Sequence, residues 1–154
     1  MSDDWTPPDW VYRGKKPTSD SAYFENLTHC IFQAGLTWSV VDNKWPNFNS
    51  AFEGFNISKV AGYEEKDIER LLGDRGIVRN RRKIQATIDN AIEFDRIISE
   101  YGGFQKWLDE MDKTENYAFV VKELKKNFKH VGDSTAKIFL WSVGEEIKRE
   151  DPHR

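Results

Sequence analysis

The chain has 154 residues, the length of one ordinary domain with its own hydrophobic core. Its single cysteine excludes an internal disulfide, and its three histidines show no metal-binding spacing. The net charge of −3 argues against a uniformly basic nucleic-acid binder, but Arg and Lys concentrate in residues 75–83 and 122–137, so one face can still be basic. The sequence begins with an acidic, proline-containing stretch, and no apolar run is long enough to span a membrane. We therefore expect a cytoplasmic protein without a membrane partner.

The spacing of apolar residues is helical nearly throughout, and no segment alternates with period two between turn residues. We therefore predict an all-α fold, a single-domain helical bundle over residues 1–154. Residues 1–18 are expected to form an irregular N-terminal segment, and residues 148–154 a frayed tail. No repeat or linker divides the chain.

The first predicted helix begins at Ser19 or Asp20, either of which can cap it, and ends at Gly35. One apolar stripe of this helix is expected to face the core. A second helix begins near Thr37. Proline is tolerated in a first helical turn, so we expect Pro46 to open a third, short helix. The residues of the predicted stripe are Tyr23, Leu27, Cys30, Ile31 and Ala34.

The rest of the chain is also predicted to be helical, from its capping residues and apolar spacing. Asn56 caps a short helical turn, and a longer amphipathic helix follows it. The longest helix runs to about Tyr101, with Ile92 among its inward residues. A short helical connection and a polar loop at residues 109–115 lead to two final helices, the last of which is expected to reach Ile147.

The segment NFKHVGDSTAK, residues 127–137, is typical of a helix-hairpin-helix motif. One helix ends, Gly132 permits a tight reversal, and Asp133 or Ser134 begins a helix whose first backbone N–H groups have no intrahelical partner. These donors and the nearby lysines form an anion site suited to a DNA phosphate. The alternative is an ordinary interhelical turn with solvated lysines and a locally bonded His130. The residues predicted to contact DNA here are Lys129, Val131, Gly132, Ser134, Thr135 and Lys137.

A second basic segment, RGIVRNRRKIQ at residues 75–85, places positive charge at the start of the longest helix. The helix dipole disfavours positive charge there, and a bound polyanion would compensate for this unfavourable interaction. Arg79 and Arg81 are therefore predicted to contact DNA. The alternative is that these side chains are solvated or paired with acids such as Glu69 and Asp74.

The bend QAGLTW, residues 33–38, combines a helix break with an amide and an indole. Because Trp38 follows the break, its ring is expected to wall a cleft between two helices. Gln33 can then bond the edge of a planar ligand on which Trp38 stacks, a contact worth roughly 1–3 kcal/mol for a nucleobase. The alternative is that Trp38 and Trp45 are simply packing residues.

Three segments, QAGLTW, FNISKVAGYEEKDIERLLGDRGIVRNRRKIQATIDNA and FKHVGDSTAKIF, resemble in the same order those of the DNA-3-methyladenine glycosylase I family. The resemblance covers residues 23–90 and 128–144. It implies an all-α fold of the helix-hairpin-helix DNA glycosylase type and an enzyme that excises alkylated adenine from DNA. It further implies that Trp38 stacks on the extruded base, that Tyr12 is a pocket tyrosine, and that residues 131–135 grip a phosphate.

Two functional features of that family have no counterpart in this sequence. The family's base-reading glutamate lies eight residues before the stacking tryptophan, where this chain has Cys30. A thiol offers no charged acceptor, so the base preference is expected to differ. The family's zinc ligands are also missing, since Arg13 stands at a ligand histidine's position, and we expect neither zinc nor another cofactor. Packing of Trp5, Trp10 and Trp141 is then expected to hold the terminal segments together.

The first functional hypothesis is a base-excision repair DNA glycosylase that flips a damaged base out of duplex DNA and hydrolyses its N-glycosidic bond. Such a protein is expected to be a monomer associated with the nucleoid. No catalytic residue is assigned, because Asp42 and Asp133, the carboxylates placed nearest the predicted cleft, also fit solvated or capping roles. The second hypothesis, supported by Cys30, is a catalytically inactive DNA-binding or lesion-sensing domain. The third, supported by the acidic net charge, is a protein-interaction module.

Overall fold

Helix α1, Asp20–Gln33, is the central element of the fold in the computed structural model, which describes residues 7–148. The side chain of Ser19 caps it, as predicted, by accepting a hydrogen bond from the backbone N–H of Ala22. Ten of its 14 residues are buried, so the prediction of a single buried stripe is wrong. Other helices pack around α1 on several sides, and a helix in that position must be apolar nearly all round. Ala34, expected in the stripe, is exposed just past the helix end.

Seven more α-helices and one 3-10 turn follow α1 within the described residues, which contain no strand, so the predicted all-α fold is confirmed. In chain order they are α2 (Trp38–Ala51), the 3-10 turn (Glu53–Phe55), α3 (Ile57–Ala61), α4 (Glu65–Leu72), α5 (Arg81–Tyr101), α6 (Phe104–Asp109), α7 (Thr114–Asn127) and α8 (Asp133–Ser142). Helix α1 packs against α2, α5, α6 and α8. The hydrophobic core therefore forms around α1.

Helix α2 continues through Pro46, so the prediction that this proline opens a separate helix is wrong. The buried face of α2 is the reason. Val41 precedes the proline on that face, while Phe48 and Ala51 follow it. Pro46 itself is exposed, so its ring lies on the solvent side of the helix. Burial of one continuous apolar face holds a helix that the local sequence alone would interrupt.

Helix α5 begins and ends as its capping residues indicate. The side chain of Asn80 accepts a hydrogen bond from the backbone N–H of Lys83, and Gly102 ends the helix in the left-handed region with φ of 88°. Ile92, predicted to face inward, is 52% exposed. Ile88 and Ala91 occupy the inner face, and the next residue is rotated by about 100° on a helix of 3.6 residues per turn.

Helix α8 ends at Ser142 and does not reach Ile147, which corrects the predicted boundary. Gly144 follows in the left-handed region with φ of 83°. A Cβ atom at Gly144 would overlap the carbonyl oxygen of Lys15, so the chain passes here directly against the N-terminal segment. Ile147 is still buried, but in irregular chain beyond the helix.

Residues 7–18 form no helix and are held to α1 and α8 by hydrogen bonds. The backbone N–H of Tyr12 donates to the carbonyl of Ser142 at 2.8 Å. The buried amide of Asn26 donates to the carbonyl of Trp10 and to the hydroxyl of Ser142, both at 3.1 Å. The irregular segment is thus fixed against the centre of the fold. Trp5 and the tail at residues 149–154 lie outside the described residues.

Candidate functional site

A side chain of α5 holds the bend between α1 and α2 by hydrogen bonds. Gly35 adopts the left-handed conformation, with φ of 81°, and α2 begins three residues later. The ammonium group of Lys83 donates hydrogen bonds to the carbonyl oxygens of Phe32, at 3.1 Å, and Ala34, at 2.9 Å. These carbonyls belong to the unpaired end of α1, so Lys83 caps it. Burial lowers the pKa of Lys83 from its ordinary value.

Sequence reasoning missed this capping role, because it treated Lys83 as part of the basic segment at residues 75–85, whose charges were expected to face a polyanion or solvent. The available signal was helical spacing. Lys83 lies on the same inner face of α5 as two other buried polar residues, Thr87 and Asn90, at i+4 and i+7. A lysine on the inner face of a helix needs acceptors there, and the end of α1 provides them.

Four tryptophans and a histidine form a continuous series of ring contacts beside the bend, which we call the aromatic row. From one end to the other it consists of Trp141, Trp38, Trp10, His29 and Trp45. The ring of Trp38 is 6.1 Å from that of Trp141 and 5.7 Å from that of Trp10. Trp10 stacks on His29 at 3.9 Å, and His29 lies 4.4 Å from Trp45. The row thus joins the N-terminal segment, α1, α2 and α8.

The tryptophans of the row differ in their surroundings. Trp38 is only partly buried, at the first position of α2, which leaves part of its surface open to solvent. Trp45 packs on Phe48 and Phe55, with ring centroids 4.8 Å and 5.3 Å away. Trp45 is therefore mainly a packing residue, whereas Trp38 borders the bend. Through Trp38, the row also connects Trp10 of the N-terminal segment with Trp141 of α8, two of the three tryptophans expected to pack the ends of the chain together.

Gln33 and Cys30 lie on the last turns of α1 and are each 2% exposed. Neither amide atom of Gln33 has a hydrogen-bond partner among the described residues. An unsatisfied buried polar group costs about 1–3 kcal/mol, so a ligand that bonds the Gln33 amide would recover that free energy. Cys30, one residue after His29, has a buried thiol. A thiol does not offer the negatively charged hydrogen-bond acceptor that a carboxylate would.

Tyr12 lies half-buried on the N-terminal segment. Burial, and then the negative charge of Glu25, raise the pKa of its phenol above the ordinary value. The hydroxyl of Tyr12 therefore stays protonated near neutral pH and can donate a hydrogen bond. Its proximity to Glu25 places it on the side of α1 that faces the N-terminal segment.

The hairpin between α7 and α8, residues 128–132, brings the predicted phosphate-binding residues together. The side chain of Asn90 on α5 holds it: Oδ1 accepts from the backbone N–H of Lys129 at 2.7 Å, and Nδ2 donates to the carbonyl of Lys129 at 3.2 Å. Val131 and Thr135 are each only 8% exposed, so their side chains belong to the core and only their backbones are placed for contact. Of the residues predicted to contact DNA in this motif, the exposed ones are Lys129, Gly132, Ser134 and Lys137.

Several basic side chains surround the start of α8. The ammonium group of Lys125 lies 2.8 Å from the carboxylate of Asp133, and the hydrogen bond from Lys125 lowers the pKa of Asp133 below its ordinary value. The charged residues that line a groove of about 330 Å³ between α7 and α8 are Lys122, Lys125 and Lys137, with Glu115 and Asp133. The two carboxylates neutralise most of the charge of the three lysines, so the groove keeps a small positive excess.

Positive charges at the start of α5 act on the hairpin. Burial, and then the positive charges of Lys83 and Arg82 in the first turn of α5, lower the pKa of His130 from its ordinary value. Arg81 is bound by Glu65, with both carboxylate oxygens 2.7 Å from one guanidinium nitrogen. Arg79 is exposed. Of the two arginines predicted to contact DNA, Arg81 therefore has much of its charge neutralised within the protein.

The residues present do not fit a zinc site at the junction of the terminal segments. Residues 7–148 contain no group of three side chains of the metal-binding type that could hold an ion, and Arg13 is exposed. The junction instead contains the buried Glu145, whose two carboxylate oxygens lie 2.9 Å from Lys16 and Lys113. Burial alone raises the pKa of Glu145, but hydrogen bonds from Lys113 and Lys16 outweigh it and lower the pKa below the ordinary value. Ion pairs thus connect the N-terminal segment to the chain beyond α8.

The helices of the described residues include none that is long and apolar enough to cross a bilayer. The longest, α5, has 21 residues but carries several charges, such as Glu93, Asp95 and Arg96. Its buried face is needed for packing against α1 and α3.

Sequence comparisons match the chain to one family. The model of the family described as methyladenine glycosylase matches residues 9–137. DNA-3-methyladenine glycosylase 1 of Escherichia coli is 44% identical over 78 residues, which make up 51% of this chain and 42% of that relative's length. The DNA-3-methyladenine glycosylase of Haemophilus influenzae is 26% identical over 92% of this chain and 84% of its own length.

Solved structures with the same fold cover nearly the whole chain. A crystal structure of 3-methyladenine DNA glycosylase I matches with a TM-score of 0.74 and 29% identity, over 90% of this chain and 93% of its own. The Staphylococcus aureus 3-methyladenine DNA glycosylase I, studied for its recognition of 3-methyladenine, matches with a TM-score of 0.78 and 26% identity, over 95% and 91% of the two chains.

Proposed function

Because the chain belongs to the methyladenine glycosylase family, we propose that it is a DNA glycosylase that extrudes an alkylated base from DNA and hydrolyses its N-glycosidic bond. The observation that carries the proposal is the position of Trp38. Its ring is partly open to solvent at the first position of α2. On the other side of the bend, α1 ends with Gln33, whose buried amide has no hydrogen-bond partner among the described residues. A planar base stacked on Trp38 would find polar partners at its edge there.

In this mechanism the hairpin binds the DNA backbone and the aromatic row binds the extruded base. The backbone N–H groups at the start of α8, with Lys129 and Lys137, bind phosphates and set the position of the duplex. Extrusion of a nucleotide costs a few kcal/mol, which stacking of the base on Trp38 offsets. Gln33 then bonds the edge of the base. These contacts hold the nucleotide in its extruded position.

The chemical step requires little help from the protein when the base is a cation. An N-alkylated purine is a good leaving group, so the bond from C1′ of the sugar to the base nitrogen breaks with its electrons going to the base. Water adds its hydroxyl to C1′ and releases a proton to solvent. Neither zinc nor another cofactor takes part in this proposal. Cys30 supplies no charged acceptor, so we propose a base preference different from the 3-methyladenine bound by the Staphylococcus aureus relative.

The proposed partner is damaged duplex DNA, bound by the protein as a monomer in the compartment that holds the nucleoid. Half or more of the contacts in protein–DNA complexes go to the backbone, and this chain has the hairpin and its lysines for that purpose. The net charge of −3 does not oppose the assignment, because the lysines of α7 and α8 face a common groove.

Base release from alkylated duplex DNA, with the freed bases separated by chromatography, tests the proposal. The wild type is expected to release at least one alkylated base. Trp38→Ala is expected to reduce the rate by about 5- to 150-fold, since that range corresponds to the loss of about 1–3 kcal/mol of stacking. Phe119→Ala, which removes an exposed ring on α7, is the matched control and is expected to behave as wild type.

Two results would contradict the proposal. Equal rates for Trp38→Ala and wild type would remove Trp38 from the base site. Binding of duplex DNA without any base release by the wild type would fit the lesion-sensing alternative. Thermal unfolding of Trp38→Ala shows whether a lower rate comes from lost stacking or from an unfolded protein.

A further inference from the structure

Three segments of the chain meet beyond the end of α8, far along the fold from the bend. They are residues 12–16, residues 113–117 at the start of α7, and residues 142–148. A cavity of about 560 Å³ lies between them, and the buried Glu145 forms part of its wall. We call the contacts among these three segments the clasp.

The N-terminal segment runs alongside the chain that follows α8. The backbone N–H of Tyr12 donates to the carbonyl of the last residue of α8 at 2.8 Å. The carbonyl of Lys15 lies directly against Gly144, and the ammonium group of Lys16 lies 2.9 Å from Oε2 of Glu145. Residue numbers rise together on the two sides, so the two pieces of chain run parallel. The pair of Lys16 and Glu145 joins them through side chains.

The start of α7 holds the same carboxylate from the other side. Oε1 of Glu145 lies 2.9 Å from the ammonium group of Lys113 and accepts a hydrogen bond from the hydroxyl of Tyr117 at 3.0 Å. That hydroxyl also accepts from the backbone N–H of Glu146 at 3.1 Å. Each carboxylate oxygen of Glu145 therefore has its own lysine, on a different segment. Loss of one partner from a buried ion pair leaves the other charge uncompensated.

The turn that carries Tyr117 is strained. Glu115, Asn116 and Tyr117 have φ of 55°, 52° and 66°, in the left-handed region that residues other than glycine rarely adopt. In this conformation the side chain of Asn116 accepts from the backbone N–H of Lys148 at 2.8 Å and donates to its carbonyl at 2.9 Å. A strained backbone persists only where its surroundings hold it. The turn and residues 145–148 therefore hold each other in place.

The charges of the clasp are balanced without a metal ion. Two ammonium groups, of Lys16 and Lys113, face two carboxylates, of Glu145 and Asp109. Asp109 lies 3.7 Å from Lys16 and 2.8 Å from Lys113. The ammonium groups occupy the positions beside Glu145 that a cation would take, and an ammonium group has no lone pair with which to bind a metal. The residues that disagree with a zinc site thus form a tether of another kind.

We propose that Glu145 is a positioning residue, which fastens the N-terminal segment by charge in place of the family's zinc. This inference rests on the proposed function, in which the segment carries two residues of the base site, Tyr12 and Trp10. The ring of Trp10 lies 5.7 Å from that of Trp38, so detachment of the segment would remove one neighbour of the stacking ring. Glu145 is buried beyond the end of α8 and acts on the base site only through Lys16 and the segment.

Digestion of the folded protein with trypsin at pH 7 tests the clasp without any need for catalysis. The bonds after Arg13 and Lys15 are cut when the segment detaches, because proteases act on locally unfolded chain. Glu145→Gln keeps the shape and removes the charge, so we expect these bonds to be cut about 10-fold faster or more. Glu146→Gln, the same change at the exposed neighbouring residue, is the matched control and should be cut at the wild-type rate. Mass spectrometry of the fragments locates the first cut.

A second variant keeps the test decisive if Glu145→Gln does not fold. Lys16→Met removes a partly exposed partner and leaves Glu145 paired with Lys113, and it should also speed the cuts after Arg13 and Lys15. Wild-type cutting rates in both variants would overturn the proposal. So would a zinc ion bound in stoichiometric amount to the purified protein, if its removal by EDTA speeds the same cuts.

The base-release assay distinguishes a positioning role from a purely structural one. If the wild type releases alkylated bases, Glu145→Gln should lower the single-turnover rate by about 10-fold. Its affinity for duplex DNA, which the hairpin supplies, should stay within about 2-fold of wild type. Tyr12→Phe should also lower the rate, and the double variant should be no slower than the slower single variant, because both changes act on one segment.

Failure of this inference and failure of the proposed function give different results. An unchanged single-turnover rate in Glu145→Gln, or additive losses in the double variant, would overturn the positioning role, while the glycosylase assignment would stand. If the wild type releases no base, the proposed function fails and the role of Glu145 in the base site fails with it. Digestion with trypsin then decides whether Glu145 fastens the segment.

Discussion

The bend between α1 and α2 and the hairpin between α7 and α8 are both held by side chains of α5, yet they present opposite chemistry. Lys83 caps the bend and Asn90 bonds the hairpin, and both project from the inner face of α5, two turns apart. Around the bend, polar atoms are buried among aromatic rings. Around the hairpin, charged side chains are exposed to solvent. One helix thus aligns a region suited to a planar ring with a region suited to phosphates.

The largest expected effect comes from removing the brace of the bend. Lys83→Met keeps the length of the side chain but leaves the carbonyls of Phe32 and Ala34 without their donor. We expect the free energy of unfolding to fall by about 2–4 kcal/mol, because two buried acceptors lose a charged partner. Base release should fall as well, since the bend that carries Trp38 loses its support. Urea unfolding at pH 7 measures the first effect.

Lys66→Met is the matched control for this change, because Lys66 is an exposed lysine on α4. It should alter the free energy of unfolding by no more than about 0.5 kcal/mol. If Lys83→Met were equally harmless, the cap would contribute nothing and the two regions would not share a brace.

The corresponding change at the hairpin is Asn90→Ala, which removes both hydrogen bonds to the backbone of Lys129. The free energy of unfolding is expected to fall by about 1–3 kcal/mol, less than for Lys83→Met because no charge is involved. Affinity for duplex DNA should fall too, since the hairpin backbone loses its fixed position. Urea unfolding and fluorescence anisotropy with labelled duplex measure the two effects.

Gln85→Ala removes an exposed amide from the same helix and is the matched control for Asn90→Ala. It should leave both the stability and the DNA affinity close to wild type. A loss of stability in Asn90→Ala without any loss of DNA affinity would show that the hairpin is not a phosphate contact.

Local signals predicted most of the helices, because caps and apolar spacing act within a few residues of each other. Ser19 and Asn56 cap helices in the structure as the sequence predicts, and the longest helix ends at Tyr101 as expected. Prediction failed where distant packing decides the outcome. Pro46 lies inside α2 because the buried face on both sides of it continues, and α8 ends early because Gly144 meets the N-terminal segment.

The residues of the candidate site also fall into those that local sequence indicates and those that depend on distant packing. Trp38, Gln33 and the hairpin were predicted as site residues because short motifs contain them. His29, Lys83 and Asn90 were missed because their partners are remote in sequence: Trp10 is 19 residues from His29, and Lys129 is 39 residues from Asn90. A buried histidine or lysine has no local signal that distinguishes it from an exposed one. The contacts that give these residues their roles exist only after α1, α5 and the terminal segments have packed.

The smallest expected effect concerns the charges at the hairpin. Lys129→Ala and Lys137→Ala should each weaken duplex binding and reduce the slope of log K against log salt by about 0.9, the value for one lost phosphate contact. Arg81→Ala should change the slope less, because Glu65 already binds its guanidinium. Lys66→Ala serves again as the exposed control. Anisotropy titrations over a range of salt concentrations give the slopes. Unchanged slopes in both hairpin variants would mean that the exposed lysines there are only solvated, and α5 would then brace one functional region and one ordinary turn.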